Sequence, residues 1–269
     1  MGSNHTPTIL IIAGSDPSGG AGIQVDIKTI HSVGGYALSA ITSLTSQNSM
    51  GVIDSFATPP KILRLQLEAL LDDVQINAIK IGMLGNIETV EILAKLLPRF
   101  DCENIVIDPI ITSSSGKSLI EDDALEAMKS MLFPLAKIIT PNIPEFSKIF
   151  NISTQYLEIE NLDTKRIFEQ VKSKYILLKG GHSSNEAYST DYLISQNSIQ
   201  KFSAPRIKTE HTHGTGCILS SAIATNLAKG FSIKKSIQYS KQFLWEQTQK
   251  GYPTLDYIAK DKKRNLNIL

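Results

Sequence analysis

Short runs of aliphatic residues alternate along the chain with longer amphipathic stretches. The short runs are rich in branched apolar side chains, which is typical of strands that are buried on both faces of a sheet. The longer stretches repeat apolar residues at helical spacing. The predicted strands cover residues 9–13, 79–84, 105–108, 138–140 and 175–179, and the predicted helices cover residues 21–33, 61–74, 88–97, 122–132 and 163–173. This alternation predicts an α/β fold with a mainly parallel central sheet and helices on both faces.

The last third of the chain follows a different order. Two runs at 188–195 and 199–203 predict a hairpin. An apolar helix at 217–229 follows, and Gly230 directly after it is typical of a helix end. A last amphipathic helix is predicted at 233–249.

No linker, fixed-period repeat or low-complexity segment interrupts the sequence. We therefore expect one domain over residues 1–269, with loose termini at 1–7 and about 255–269. With 269 residues and 42% hydrophobic content, the chain can bury one large core. A formal net charge of +1 without a long basic run argues against a sequence-independent grip on nucleic acid or on an acidic membrane. We expect small molecules as partners.

Two cysteines, Cys102 and Cys217, lie far apart and in no CxxC pattern. This usage predicts neither a disulfide framework nor a thiolate zinc site. Apolar stretches fall short of the roughly 18 residues that span a bilayer, and the N-terminus lacks the pattern of a secretory signal. We therefore expect a protein of the reducing cytoplasm that is neither secreted nor integral to a membrane.

An unusual helix start lies at residues 212–217. Gly214, Thr215 and Gly216 come directly before a long apolar helix. The first backbone N–H groups of a helix have no partner inside it, and the helix dipole adds about half a positive charge, so this start predicts an anion site. Cys217 falls in the first turn, where the same field favours thiolate over thiol. The alternative interpretation is a tight turn with an N-cap and a small core cysteine.

A second glycine-rich segment follows the first predicted strand. Its glycines stand at positions 14, 19, 20 and 22, just before a predicted helix. The spacing is not that of a dinucleotide-binding fingerprint, and the lysine of a P-loop is missing. Taken alone, the segment predicts either a ligand-binding turn or a close-packed one.

Polar residues follow three further predicted strands. Asp108 ends the third aliphatic strand, Asn142 and Glu145 follow the fourth, and Lys179 ends the fifth. In open α/β sheets, ligands bind beyond the carboxyl ends of the strands. Oxygen ligands suit Mg²⁺ with part of its water shell, and lysine suits phosphate oxygens. Each residue also has an alternative explanation: Asp108 as a loop cap, Glu145 as a solvated carboxylate at a helix start and Lys179 as a surface residue. Together, these residues predict a binding site for a nucleoside triphosphate.

Six segments of the chain jointly resemble one enzyme family. They are AGSDPSGGAGIQ at 13–24, KIGML at 80–84, DPIITSSSG at 108–116, ITPNIPE at 139–145, LLKGGH at 177–182 and HTHGTGC at 211–217. In this order and spacing they resemble the hydroxymethylpyrimidine and phosphomethylpyrimidine kinases of thiamin biosynthesis, from about residue 8 to about residue 250. The resemblance implies a ribokinase-like fold and, as is common in that superfamily, a homodimer.

The implied reaction moves the γ-phosphoryl group of ATP, with Mg²⁺, to the alcohol of 4-amino-5-hydroxymethyl-2-methylpyrimidine. A second round acts on the monophosphate and gives the diphosphate. By resemblance, Cys217 takes the alcohol proton, while the backbone N–H groups of Gly214, Thr215, Gly216 and Cys217 hold the charge on the phosphoryl oxygens. A cysteine base needs a depressed pKa, for which the helix start is the expected source. Most ribokinase relatives carry aspartate at this position.

The resemblance also implies a pyrimidine pocket. It maps the pocket onto Gly14, Ala21, Asp26, Gln47 and Met83. A Gln amide offers the paired donor and acceptor that an aminopyrimidine needs, and Gln47 follows a run of small residues suited to close approach. Three alternatives stay open: Gln47 as a surface amide, Asp26 as a solvated helix residue and Met83 as ordinary core packing.

The nucleotide side of the implied site comprises Lys179, Asn142, Glu145, Asp108 and Lys241. Asp108 and Glu145 are implied to hold the metal ion indirectly, through water. For Lys241 the alternative is an exposed helix lysine.

The sequence departs from the family in two places. Many relatives carry a lysine in the segment after Asp108, where this chain has serines at 113–115 and a lysine out of register at Lys117. The usual C-terminal tail is replaced by a basic segment at 261–265. Two further functions stay open: a pyridoxal or pyridoxine kinase, and a non-catalytic vitamer sensor, although a sensor has no need of Cys217.

Overall fold

The computed structural model describes residues 6–48, 51–113, 116–154, 159–181, 187–209 and 213–250. Within these residues, nine strands form one sheet in the order β3-β2-β1-β4-β5-β6-β7-β8-β9. The strands are β1 (Thr8–Ser15), β2 (Tyr36–Asn48), β3 (Gly51–Ala57), β4 (Ala78–Ile81), β5 (Ile105–Ile107), β6 (Ile138–Ile139), β7 (Tyr175–Leu178), β8 (Tyr188–Ser195) and β9 (Ser198–Pro205).

Helices connect most of these strands. They are α1 (Gly22–Ser32), α2 (Pro60–Leu71), α3 (Ile87–Leu96), α4 (Asp122–Ala127), α5 (Ile143–Phe150), α6 (Thr164–Val171), α7 (Thr215–Ala228) and α8 (Ile233–Lys250). None of the helices in the described part of the chain combines the length and the hydropathy that a membrane span requires.

The central strands are parallel and the outer ones antiparallel. β1 pairs in parallel with β2 and with β4, and the parallel pairing continues through β5, β6 and β7. β3, β8 and β9 join in antiparallel fashion at the two edges. The predicted hairpin is therefore present as β8 and β9, and the predicted α/β class with a mainly parallel sheet is confirmed.

Alternate side chains of β1 enter two different cores. Leu10 and Ile12 belong to the apolar cluster that includes Leu63 of α2, whereas Ile9 and Ile11 belong to the cluster on the opposite face. Successive side chains of a strand point to opposite faces, so a run without polar residues is what a sheet covered on both sides requires. Helices lie on both faces, as expected.

The sequence pattern did not predict β2 and β3. The small-residue run at 39–46 lies within β2, where serine and threonine replace branched aliphatic side chains. Only part of β2 is buried, and the side chains of β3 are half-buried or exposed. A strand that covers little of the core does not need the apolar run by which buried strands are found.

Helix boundaries also differ in detail. The helix predicted at 122–132 ends its α-helical part at Ala127 and continues as a π-helical segment, Met128–Leu132. α5 was not predicted; its eight residues begin with a capping box between Asn142 and Glu145. The predicted loose termini lie outside the described residues, except for residues 6 and 7 in front of β1.

Helix α2 offers a matched test of the core. Leu67 is 1% exposed and packs in the core, whereas Leu65 on the same helix is 51% exposed. We expect Leu67→Ala to lower the free energy of unfolding by about 2–5 kcal/mol, because it leaves a cavity, and Leu65→Ala to change it by less than about 0.5 kcal/mol. Denaturant unfolding of both variants measures the difference. Equal losses would contradict the placement of α2.

Candidate active site

The start of α7 packs against the glycine-rich turn after β1. Gly214 is the N-cap, with φ +85°, and a Cβ atom on it would collide with the carbonyl oxygen of Gly20. Gly22, with φ +59°, would likewise press a Cβ atom against the backbone of Gly14. Both positions therefore require glycine. The two glycine segments singled out in the sequence form one contact, although Thr212 lies outside the described residues.

Cys217 sits in the first turn of α7 and is 6% exposed. Val25 and Ile218 pack with it in a small apolar cluster. Burial raises the pKa of the Cys217 thiol to about 11, although the nearby Lys80 and a hydrogen bond from the backbone N–H of Gly22 oppose this rise. The expectation of a depressed pKa is wrong, because the loss of water on burial outweighs the groups that favour the thiolate.

The buried Asp108 and the half-buried Lys179 form an ion pair beside the same helix start. Lys179 Nζ lies 2.6 Å from Asp108 Oδ1, and Ser220 of α7 donates to Asp108 Oδ2 at 3.2 Å. Burial alone would raise the pKa of Asp108, but the ammonium groups of Lys179 and Lys80 hold it below its ordinary value. A Cβ atom on Gly216 would lie 3.2 Å from Lys179 Nζ. Lys179 is thus no surface residue, and its charge lies at the start of α7.

Glu145 and Asn142 hold one another at the start of α5. Each side chain accepts a hydrogen bond from the backbone N–H of the other, both at 2.8 Å. Glu145 is buried, not solvated, and its Oε2 lies 4.0 Å from Lys179 Nζ. Burial raises the pKa of Glu145 to about 7; Lys179 opposes the shift and Asp108 adds to it.

Two carboxyl groups, those of Asp108 and Glu145, therefore surround one ammonium group. The described residues contain no cluster of three or more His, Cys, Asp or Glu side chains arranged to hold a metal ion directly. The arrangement suits a hydrated cation held through water more than one bound by a full set of side chains.

The predicted pyrimidine-pocket residues Gly14 and Met83 lie together. A Cβ atom on Gly14 would lie 2.9 Å from Ser43 Oγ and 3.3 Å from Met83 Sδ. Ser43 was not a predicted site residue, because it belongs to the unpredicted strand β2. Ala21 lies in the same glycine-rich turn as Gly14, where its backbone N–H donates to Asp16 Oδ2 at 2.9 Å.

Gln47 lies in β2 and is held by a polar cluster. Its Nε2 donates to Asp16 Oδ2 at 3.2 Å and lies 3.3 Å from Nε2 of His213. Asp16 is 2% exposed and also accepts from Ser18 and Ala21. Burial would raise the pKa of Asp16, but hydrogen bonds from His213 and Ser18 lower it below its ordinary value. Gln47 is therefore not a loose surface amide.

Sequence reasoning missed Asp16 and His213 as site residues. Each stood inside a motif that carried the family resemblance, so position in the motif was the available signal. Their meeting depends on β2, which brings Gln47 between the two glycine segments, and β2 was not predicted.

Asp26 and Lys80 form a second buried ion pair. Both side chains are 0% exposed, and Lys80 Nζ lies 2.7 Å from Asp26 Oδ2 and 2.9 Å from Oδ1. Ser221 of α7 donates to Asp26 Oδ1 at 2.7 Å. Burial favours loss of the Lys80 proton, yet the neighbouring Asp26 raises the pKa of Lys80 above its ordinary value. The alternative of a solvated Asp26 is wrong, and its oxygens face Lys80 and Ser221 instead of an open pocket.

Lys241 forms a third pair, with Asp191 of β8. Its Nζ lies 2.6 Å from Asp191 Oδ2, and Asp191 Oδ1 accepts from the backbone N–H of Gly180 at 2.9 Å. The alternative of an exposed lysine is wrong, because Lys241 is 7% exposed. In this structure Lys241 steadies the turn directly after Lys179; a contact with nucleotide stays a prediction.

The serine segment after Asp108 is described in part. Ser113 is described, whereas residues 114 and 115 lie outside the described residues. Lys117 points away from the site: its Nζ donates to the carbonyl oxygen of Ile53 at 2.9 Å.

Comparison with known proteins identifies relatives over most of the chain. Residues 16–259 match the family described as phosphomethylpyrimidine kinase. A hydroxymethylpyrimidine/phosphomethylpyrimidine kinase of Escherichia coli strain K12 is 39% identical over 235 residues, which are 87% of this chain and 88% of that protein.

Solved structures agree with this match. A phosphomethylpyrimidine kinase from Clostridium difficile 630 has a TM-score of 0.77 at 36% identity and covers 90% of this chain and 99% of its own. A pyridoxal kinase of Bacillus subtilis, solved as an ADP complex, has a TM-score of 0.82 at 30% identity and covers 94% of this chain and 95% of its own. The expected ribokinase-like fold is confirmed.

The raised pKa of Glu145 has a consequence for stability. With a native pKa of about 7 against an ordinary value of 4.5, the folded chain binds this proton more tightly than the unfolded chain does. The stability from this proton is complete below about pH 4.5 and is lost as the pH rises through about 7. We expect Glu145→Gln to remove this dependence, which amounts to at most about 3 kcal/mol.

Denaturant unfolding at several pH values measures the effect. Glu91→Gln, on the exposed face of α3, is the matched control and should keep the pH dependence of the unsubstituted protein. A Glu145→Gln protein whose stability changes between pH 4.5 and pH 7 as that of the unsubstituted protein does would contradict the burial argument.

Proposed function

The chain belongs to the phosphomethylpyrimidine kinase family, and from this premise we propose how its residues perform the reaction. The protein is a phosphotransferase that phosphorylates hydroxymethylpyrimidine in thiamin biosynthesis. One observation carries the proposed mechanism: Gly216 lies against Lys179 one residue before the buried Cys217. A phosphoryl group and a proton acceptor can therefore meet at the same helix start.

The γ-phosphate of ATP is proposed to bind at the start of α7. Backbone N–H groups there point out of the helix, and the helix dipole favours negative charge. The missing side chain of Gly216 leaves room beside the Lys179 ammonium. These groups are fixed before the reaction, so they stabilise charge on the phosphoryl oxygens without rearranging.

The pyrimidine is proposed to bind between the two glycine segments, against Gln47. Ionised Asp16 is an acceptor only, so the Gln47 amide must turn its Nε2 toward it. The Gln47 carbonyl oxygen is thereby oriented as an acceptor for the exocyclic amine of the substrate. Gly14 and Met83 supply the close backbone and the apolar side chain against which a flat ring packs.

Cys217 is proposed as the base in the first phosphorylation. The thiol first releases its own proton to solvent, and the thiolate then takes the proton of the substrate alcohol as the alcohol oxygen bonds to the γ-phosphorus and the bond to the ADP oxygen breaks. Release of that proton to solvent restores the thiolate. The nearby ammonium group of Lys179 favours the anionic form of the sulfur.

Mg²⁺ is proposed to be held through water by Asp108 and Glu145. The residues present fit such an ion, because two buried carboxyl groups share the single ammonium of Lys179, and burial together with the charge of Asp108 raises the pKa of Glu145. When bound, the ion would supply positive charge that neutralises part of the charge on the phosphate oxygens. Asn142 orients Glu145 through the capping box.

A homodimer in the cytoplasm is proposed from two features. Leu44, Ile53 and Phe56 on β2 and β3 are exposed, at 56%, 69% and 61%, and Leu44 pairs with Phe56 across the strands. A face of this kind is typical of a protein–protein contact.

Both cysteines are free thiols, which suits a reducing compartment such as the cytoplasm. A net charge of +1 gives no reason to propose a nucleic-acid partner.

A pyridoxal kinase activity is the second candidate. The TM-score of 0.82 to the Bacillus subtilis pyridoxal kinase favours it, whereas the family match favours the pyrimidine. A non-catalytic sensor has no comparable support.

The substrate is tested by ATP-dependent phosphorylation followed for both products. We expect hydroxymethylpyrimidine to be converted to the monophosphate and then to the diphosphate, with a kcat/KM above that for pyridoxal in direct competition. A higher kcat/KM for pyridoxal would reverse the order of the two candidates.

The role of Cys217 is tested by comparing the two phosphorylations. The monophosphate attacks through a phosphate oxygen whose pKa is about 6, so above about pH 7 it brings no proton that a base must remove. We expect Cys217→Ala to slow the first phosphorylation about a hundred- to ten-thousand-fold and the second far less. Measuring each step with purified hydroxymethylpyrimidine or its monophosphate checks this. An unchanged first step would remove Cys217 from the mechanism.

A further inference from the structure

Lys80 is a buried cation to which neither the sequence motifs nor the proposed mechanism gives a defined task. It lies in β4 between two isoleucines, and its side chain is 0% exposed. Asp26 of α1 accepts from it with both carboxylate oxygens. A buried ion pair is a poor source of stability, because the desolvation of two charges offsets most of their attraction. Its presence in an otherwise apolar strand therefore invites a functional explanation.

Two consecutive serines of α7 link the helix to two ion pairs. Ser220 donates to Asp108, the partner of Lys179, and Ser221 donates to Asp26, the partner of Lys80. One helical turn earlier stand Gly216 and Cys217, and residues four apart share one face of a helix. The Lys179 pair accordingly lies by Gly216, as the distance to its ammonium shows. By the same geometry the Lys80 pair lies on the Cys217 side.

Among the described residues, the cations that act on the Cys217 sulfur are Lys80 and Lys179. Val25 and Ile218 pack around it, and the Gly22 backbone N–H donates to it. The charged groups that act on it are Lys80 from β4, Asp26 from α1, Asp108 after β5 and Lys179 after β7. Among the first three, attraction by Lys80 exceeds the repulsion by either aspartate.

We propose that Lys80 is a positioning residue: its ammonium, held in place by Asp26 and Ser221, is the counter-charge that stabilises the thiolate form of Cys217. The proposal rests on the role given to Cys217 above. Lys80 keeps its own proton throughout; the alcohol proton goes to the sulfur and from there to solvent. Asp26 then serves the pyrimidine site indirectly, because it holds Lys80 near Cys217.

The sign of two substitutions separates this role from a structural one. In a Cys102→Ser background, Cys217 is the only thiol, and its ionisation can be followed by the ultraviolet absorbance of the thiolate as the pH is raised. We expect Lys80→Met to raise the titration midpoint by about one pH unit or more, because the counter-charge is lost. Asp26→Asn should lower the midpoint by a similar amount, because a repelling charge is removed while the shape is kept.

Midpoint shifts in the same direction for both variants, or no shift in either, would contradict the proposal. A structural pair would give no shift, or a shift in the same direction for both variants through general loosening, and either result overturns it. Thermal unfolding shows whether Lys80→Met is folded. If it is not, Asp26→Asn alone decides, because an unchanged or raised midpoint contradicts the proposed balance of charges.

Turnover supplies an independent readout. Lys80→Met should lower kcat of the first phosphorylation about tenfold at neutral pH with little change in KM, since one pH unit of thiolate stability is a factor of ten in thiolate. In a Cys217→Ala background, Lys80→Met should cost nothing further, because residues that act through one group are not additive. An equal loss in both backgrounds would overturn the proposal. Failure of the proposed function is distinguishable: Cys217→Ala would then retain its rate, whereas the thiol titration would still report on Lys80.

Discussion

Helix α7 is buried around its whole circumference, with all residues from Cys217 to Leu227 inside the protein. It packs on β1, β4 and β5 and between α1 and α8. A helix that is buried on every side cannot rotate or shift without exposing apolar surface and breaking the hydrogen bonds of its buried serines. Its first turn is therefore fixed at the carboxyl edge of the sheet, and Gly214 permits the contact with Gly20 that closes this end. The proposed anion site, the thiol and the turn proposed to face the substrate all take their positions from this one packing constraint.

Three lysine–aspartate pairs serve that constraint in different ways. The pairs Lys80–Asp26 and Lys179–Asp108 are tied to α7 by Ser221 and Ser220, and Lys241–Asp191 ties α8 to the turn after β7. Pairs of this kind contribute little net stability, because the charges lose their water. They do fix directions, since each aspartate also accepts a hydrogen bond from a further group. The ion pairs thus place charged groups at defined positions around α7, whose own first turn has no charged side chain.

The sequence pattern was sufficient to predict an element where the burial of that element is the same along its length. β1 and α7 are buried throughout, so their apolar runs predicted them closely, and the glycines at 14–22 and 214–216 marked a turn and a helix start because close backbone contacts exclude side chains. β2 was missed because its burial changes along the strand and its residues are small and hydroxylated. With β2 missed, the meeting of Asp16, Gln47 and His213 could not be predicted.

Lys80 and the pKa of Cys217 were beyond sequence reasoning for a related reason. A lysine between two isoleucines gives no sign of its partner, because Asp26 lies 54 positions away on another element. The helix dipole led to the expectation of a depressed pKa, but the opposing loss of water depends on how deeply α7 is packed, which only the structure gives.

The choice of cysteine at this helix start follows from the same burial. An aspartate at position 217 would add a third carboxylate beside Asp26 and Asp108, and it would carry its charge before any substrate had bound. A thiol with a pKa of about 11 is neutral at that stage. It can be buried at low cost and does not repel the phosphates of an approaching nucleotide. The cost is that thiolate must be stabilised during the reaction, and a buried ammonium meets that need without introducing water into the site.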